Sequence, residues 1–169
     1  MALFDGLPRA YGIYKVDPAI APGAKRKGDA RTMQQPVTKE LWAQHLAGEI
    51  QLGIVPIRDD ATCTFGAIDV DDYKLDHKAL EKAIRKSKLP LVLCKSKSGG
   101  GHLYAFFKVP SDCAAVRELE AGWAATLGYN NVEIFPKQDM LVSVNDTGNW
   151  INMPYRGGEK SECFALLKG

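Results

Sequence analysis

Residues 65–73 read Phe-Gly-Ala-Ile-Asp-Val-Asp-Asp-Tyr, an apolar run that ends in three carboxylates. The run itself belongs in a core strand. Burying an ionised carboxylate without a partner is costly, so such a strand either ends in solvent or gathers its acids around a cation. Alternate side chains of a strand share a face. Phe65, Ala67, Asp69 and Asp71 therefore lie on one side, and Gly66, Ile68, Val70 and Asp72 on the other. At the ordinary strand rise the Asp69 and Asp71 Cα atoms are about 6.5 Å apart. That spacing suits two carboxylates converging on one or two divalent cations. Metal ions about 3.5–4 Å apart can clamp the attacking and leaving oxygens of a phosphoryl transfer. Asp72 faces away and reads as a bystander. Strand-end carboxylates in water are the plain alternative, and three further motifs decide between the two.

The elements around this strand predict an α+β chain. Residues 10–16 form a short strand, and the Pro/Gly-rich, basic stretch 18–36 reads as a long loop. Thr38 caps a helix through Leu41, Trp42, His45 and Leu46, stopped by Gly48. Segments 52–58 and 62–71 flank a polar turn at Asp59-Asp60, which signals a hairpin. Asp76 caps a second helix, with Ala79, Leu80, Ala83 and Ile84 on one face and Lys82, Arg85, Lys86 and Lys88 mainly on the other. A strand over 89–96 follows. Strand, helix and strand within about thirty residues make a βαβ unit, with 65–71 and 90–95 running parallel. Residues 102–109 form a further strand beyond the turn Ser98-Gly99-Gly100-Gly101. A long helix from a Ser111 cap to Gly128 and short strands at 131–135, 140–144 and 149–153 complete a mixed or antiparallel sheet with helices on one side.

At 169 residues the chain is expected to be one domain with a real core. A net charge of +2 and a pI near 8.3 do not by themselves argue for nucleic acid. Four positive charges, Lys25, Arg26, Lys27 and Arg31, are nevertheless concentrated within 23–31. Cys63, Cys94, Cys113 and Cys163 form no CxxC pair and have no His at ligand spacing, so zinc is not expected; they read as reduced thiols of a cytoplasmic protein. The N-terminus does not read as a secretory signal. No run approaches the roughly 18 apolar residues of a membrane span, so no membrane partner is expected.

Three motifs then weigh against plain solvated acids. In Lys-Ser-Lys-Ser-Gly-Gly-Gly-His-Leu-Tyr (95–104), the glycine turn can present backbone N–H groups to a phosphate. Lys95 and Lys97 flank it, and His102 opens the next strand in register with Tyr104 and Phe106. In Val-Glu-Ile-Phe-Pro-Lys-Gln-Asp (132–139), Glu133 stands inside an otherwise apolar strand, while Asp139 sits in a turn-like context. In Gly-Asn-Trp-Ile-Asn-Met-Pro-Tyr-Arg-Gly-Gly (148–158), Asn149, Asn152 and Arg156 supply polar groups near a strand end.

The order Asp-x-Asp, Ser-Gly-rich-His and third acid resembles the archaeo-eukaryotic primase superfamily, and within it the primase-polymerase domain of TOTE conflict systems and related phage proteins. Residues 40–73, 133–139 and 148–155 also resemble segments of that branch, so the likeness spans roughly 32–156. The turn Ser98–His102 is one residue shorter than the family's Ser-Gly-x-Gly-x-His form. The resemblance implies an RRM-like mixed sheet carrying the site (61–160) beside a small N-terminal α/β module (1–60) with the basic loop 18–36. It implies Asp69, Asp71 and Glu133 as ligands of two Mg²⁺ or Mn²⁺ ions. Ser98 and His102 would contact the triphosphate, helped by Lys95, Lys97, Asn149 and Arg156, with His102 counted among the catalytic groups. Lys25, Arg26, Lys27 and Arg31 would grip template phosphates. The expected partners are a single-stranded DNA template and primer, nucleoside triphosphates, and a helicase on the same or a neighbouring chain. Neither a helicase segment nor a zinc motif is present, so a trimmed or minimal catalytic domain is expected.

Two rivals come from other classes. A DxD glycosyltransferase also pairs aspartates with a metal, but normally needs a longer chain with a nucleotide-binding α/β half. A non-catalytic RRM-like module could stack single strands on Tyr104 and Phe106, but has no use for Asp69 and Asp71 on one face.

Overall fold

The protein is described from a computed structural model that covers residues 2–16 and 28–166. Its elements in chain order are β1 (Tyr11–Val16), β2 (Gly28–Met33), α1 (Lys39–Ala47), β3 (Gln51–Ile54), β4 (Thr62–Val70), α2 (His77–Lys86), β5 (Val92–Lys95), β6 (Gly101–Asp112), α3 (Cys113–Thr126), β7 (Glu133–Phe135) and β8 (Ile151–Asn152). Single 3₁₀ turns lie at Ala2–Phe4 and Gly158–Lys160. They build an α+β fold of two four-stranded sheets, ordered β2-β1-β3-β8 and β5-β6-β4-β7, with antiparallel neighbours throughout. The second sheet is thus not mixed. β4 and β5 do run in the same direction, but β6 lies between them, giving the split βαββαβ arrangement of RRM-like sheets.

The alternation of β4 decides how the layers stack. Ile68 and Val70 pack with Leu80 and Ile84 of α2 and Ala124 of α3, so both helices cover one face. Phe65 and Ala67, with Tyr104 of β6, pack on the opposite face against Tyr11, Leu52 and Ile54 of the first sheet. The main core therefore lies between the sheets. β8 comes from the C-terminal part of the chain and pairs with β3, which ties the first sheet to the segment that follows β7.

Several helix ends form where their sequence signals stand. Thr38 accepts from the Leu41 N–H, and Gly48 adopts φ +85 at the end of α1. Asp76 accepts from the Ala79 N–H at 3.0 Å. The cap of α3 is Asp112, not Ser111: β6 runs through Asp112, whose carboxylate accepts from the Ala115 N–H at 2.9 Å.

Other boundaries differ, for identifiable reasons. Residues 28–33 are not loop but an edge strand paired to β1. Asp29 through Thr32 are exposed and the strand is held mainly by backbone pairing, so no apolar alternation announces it. Segments 52–58 and 62–71 do not form a hairpin, because β3 and β4 belong to different sheets. Residues 51–57 are all buried, and Val55 and Ile57 pass between the sheets into a third cluster with Leu7, Cys63 and Val116. Residues 140–144 are not a strand: Met140, Val142 and Val144 are exposed, and Asp146 holds the segment by accepting from the Val142 and Gly148 N–H groups. The four thiols are free. Among the described residues no helix is long and apolar enough to cross a membrane.

Candidate active site

The pairing register places the chemistry. Asp69 on β4 stands directly opposite His102 on β6 and Glu133 on β7. Directly opposed residues share a face, so His102, Asp69 and Glu133 form one row across three strands, just where β4 ends and Asp71 follows. The Asp69 side chain retains only 26% of its exposure and lies 3.5 Å from His102 Nε2. Burial raises the Asp69 carboxyl to a pKa of about 6, and the neighbouring Asp71 and Glu133 charges add to that; Lys137 opposes it. Asp71 is exposed, with the Tyr73 hydroxyl 3.5 Å from its carboxylate.

Two hollows open from this row and share Asp69 and Glu133 as their common wall. One, of about 350 Å³, is lined further by His102, Asn149, Trp150, Asn152 and Thr32. The other, of about 400 Å³, is lined by Asp71, Asp72, Tyr129 and Asn131. Asp72, expected to be a bystander, lines the second hollow, although its carboxylate also accepts from the Lys74 N–H at 2.9 Å.

His102 is held by a relay into the core. Tyr104 Oη donates to the Asn152 carbonyl at 2.9 Å, and so accepts from His102 Nδ1–H at 3.1 Å. Nε2 is then the lone-pair nitrogen and faces Asp69. Burial lowers the His102 pKa to about 4, so the ring is neutral at pH 7. Tyr104 has no exposure, and Phe106 is packed on the same core with Phe4 edge-on to both rings. The aromatics that a strand-binding RRM would offer are covered here by the first sheet.

Glu133 is not a buried strand acid as the sequence suggests. Its side chain is 61% exposed and paired with Lys137 at 2.8 Å. Asp139 is paired with Arg117 of α3 and lines a separate hollow with α3 residues, away from the row. Of these two acids, Glu133 stands in the row with Asp69 and Asp139 does not.

The glycine turn serves close approach. A Cβ on Gly100 would lie 2.2 Å from the Val70 carbonyl, so only glycine lets the turn sit against the end of β4. Gly99 takes φ +97 and its N–H donates to the Ser96 carbonyl at 3.1 Å, which removes one N–H from those expected to face a phosphate. Ser98 is exposed, 3.2 Å from Ser96 Oγ.

The expected cations are not brought to the row. Lys97 Nζ lies over the Tyr14 ring at 3.4 Å. Lys95, one residue beyond the Cys94 that faces His102, lines a hollow with Tyr73 and His77. Arg156 donates to the Gly48 carbonyl at 2.5 Å and to the Ile50 carbonyl at 3.2 Å, so it satisfies the C-terminal end of α1. Arg31 lies on β2, paired with Asp29. Lys25, Arg26 and Lys27 lie outside the described residues. Asn149 does line the hollow, where its carboxamide oxygen accepts from Gln138 Nε2.

Whether this set suits a divalent cation can be judged from its charges. Three carboxylates share a single lysine, and a lone-pair nitrogen faces one of them at 3.5 Å with no proton between the two. With Glu133 drawn towards Lys137, no group of three His, Cys, Asp or Glu among the described residues encloses an ion. The fit lies in the hard oxygen donors and their unbalanced charge.

Thr32, Lys137 and Trp150 also line the first hollow and were not singled out from the sequence. Only the pairing of distant strands brings Thr32 and Trp150 here, whereas the i,i+4 offset of Lys137 from Glu133 was visible. A search among curated proteins returns no match. The family model described as TOTE conflict system, Archaeo-Eukaryotic Primase domain matches residues 18–164, and the chain belongs to that family.

Proposed function

We propose that this chain is a template-dependent nucleotidyltransferase, a DNA primase/polymerase domain that joins nucleoside triphosphates along a single-stranded DNA template. The observation that carries the reading is the cross-strand row His102–Asp69–Glu133 with Asp71 beside it, opening on a hollow at either side. Membership of a primase family supports the reaction class. Asp69, Asp71 and Glu133 are the residues that would hold Mg²⁺ or Mn²⁺. Bound there, two such ions would supply Lewis acidity toward a 3′-hydroxyl and charge neutralisation for a triphosphate.

The chain's own groups do the rest. The Tyr104–Asn152 relay fixes the His102 ring, so that Nε2 is presented at the row without reorganisation when substrate arrives. Nε2 suits a ligand or proton acceptor better than a phosphate donor, which departs from the role first expected for it. Asn149 offers an amide to the nucleotide in the same hollow, and Ser98 stands exposed on the turn that precedes β6. Lys137 balances Glu133, a carboxylate that would be free to hold a cation if the lysine swung away.

Variants of the two acids in the 132–139 segment test the assignment. Glu133→Gln is expected to remove metal-dependent incorporation. Asp139→Asn, whose partner is Arg117, should cost less than about tenfold, or about 1.4 kcal/mol. The measurement is kcat/KM for both across a Mn²⁺ titration. An inactive Asp139→Asn beside an active Glu133→Gln would sink the site as drawn.

A further inference from the structure

Trp150 immediately precedes β8, and its indole lies flat across the first sheet. Gly53, Gly12 and Thr32 form one row there, Gly12 pairing with Gly53 on one side and Thr32 on the other. A Cβ on Gly12 would fall 2.0 Å from Trp150 Cδ2, and one on Gly53 would fall 2.2 Å from Cε3. Any other residue at either position would lift or displace the ring. Trp150 Nε1 donates to Thr32 Oγ1 at 3.2 Å, which fixes the orientation of the indole on this glycine floor. Tyr11, Leu52 and Ile54 alternate with these glycines and point into the core, so the indole lies on the sheet's other face. The ring is only partly buried, and it lines the same 350 Å³ hollow as Asp69 and His102. One face rests on backbone and the ring also packs against the cluster of Leu7, Val55 and Ile57, which leaves it half-buried at the edge of the hollow.

We propose that Trp150 is a stacking platform for a nucleobase, carried by the nucleotide or strand whose phosphates the carboxylate row handles. The proposal rests on the nucleotidyltransferase reading and names how that site holds its substrate. Stacking on an aromatic ring tolerates any base, because every base has a π-face. That is the property required where the accepted base changes with each template position. A ring fixed by a glycine floor and one hydrogen bond also loses little freedom when a base lands on it.

Equilibrium titrations in Mg²⁺ buffer test this with three probes: deoxyadenosine triphosphate, inorganic tripolyphosphate and a short oligothymidylate. Trp150→Ala is expected to weaken binding of the nucleotide or the oligonucleotide about tenfold or more, with tripolyphosphate unchanged. Trp150→Phe, which keeps a ring, should recover most of the loss. The probe that loses affinity tells whether the base belongs to the nucleotide or the strand. In a Trp42→Phe, Trp123→Phe background Trp150 is the sole indole, and the base-bearing probe, but not tripolyphosphate, should quench its emission. Unchanged affinity of Trp150→Ala for both base-bearing probes, parallel loss of all three, or absence of quenching would each overturn the platform. A wild type that extends a primer while Trp150→Ala binds normally rejects the platform alone. Base-dependent binding lost in Trp150→Ala, in a chain that incorporates nothing, rejects the reaction and keeps the platform.

Discussion

Asp69→Asn is expected to lower kcat/KM for nucleotide incorporation by at least about 10³-fold, a loss of about 4 kcal/mol of transition-state stabilisation. Asp69 is the residue common to every contact of the site: it is opposite His102, opposite Glu133, and forms the wall between the two hollows. The same change should not weaken the metal-free fold. The native Asp69 pKa is about 6 against an ordinary aspartate value of 3.8. From about pH 4 to pH 6 the native state keeps a proton that the unfolded chain has lost, so stability falls as pH rises through that window and stays lower above it. An asparagine removes the cost, which at 1.36 kcal/mol per unit is on the order of 3 kcal/mol at pH 7. A dead variant that melts no lower than wild type separates a lost ligand from a lost fold. A variant that is active, or one that simply unfolds, contradicts the placement.

The second large effect lies on the opposite face of β4. Glu120 of α3 has no exposure, and neither carboxylate oxygen has a hydrogen-bond partner among the described residues. Its head group lies against Gly66, where a Cβ would come within 2.4 Å of Oε1. Burial raises its pKa to about 9 from an ordinary glutamate value of 4.5, so the native side chain is a neutral acid at pH 7. Between these values the unfolded chain releases a proton that the native state retains, and stability declines with rising pH. Glu120→Gln has nearly the same shape and no proton to hold. It should raise stability at pH 7 by roughly 3 kcal/mol and flatten the pH dependence between about pH 5 and pH 9. Chemical denaturation at several pH values checks this. A Gln variant less stable than wild type at pH 7 would mean that the carboxyl makes a contact that favours the fold.

How far the sequence reaches can be followed along individual residues. β4 was legible because its alternation separates two different burials: Phe65 and Ala67 against the first sheet, Ile68 and Val70 against the helices. Asp69 and Asp71 were legible for the same reason, since acids at the end of a core strand demand an explanation. β2 was not, because an exposed edge strand needs no apolar period. Residues 51–57 misled because continuous burial looks alike in a strand and in a buried connection. Glu133 was singled out for an expected burial that the fold does not give it; register with Asp69 is what places it in the row. Arg156 resembled an anion ligand, yet a guanidinium serves the free carbonyls of a helix end equally well. Glu120 was visible in principle: Cys113, Val116, Glu120 and Ala124 make one buried stripe along α3. Trp150 could not be read locally, because its meaning depends on glycines far away in the chain.

The decisive measurement for template-dependent nucleotidyl transfer is primer extension on a single-stranded DNA template, with Mn²⁺ or Mg²⁺ added and the template base varied. Wild type is expected to add the nucleotide complementary to the template base and to stop when the metal is omitted, and Asp69→Asn is expected to add none. No incorporation by wild type with either ion, or equal incorporation by Asp69→Asn, would contradict it.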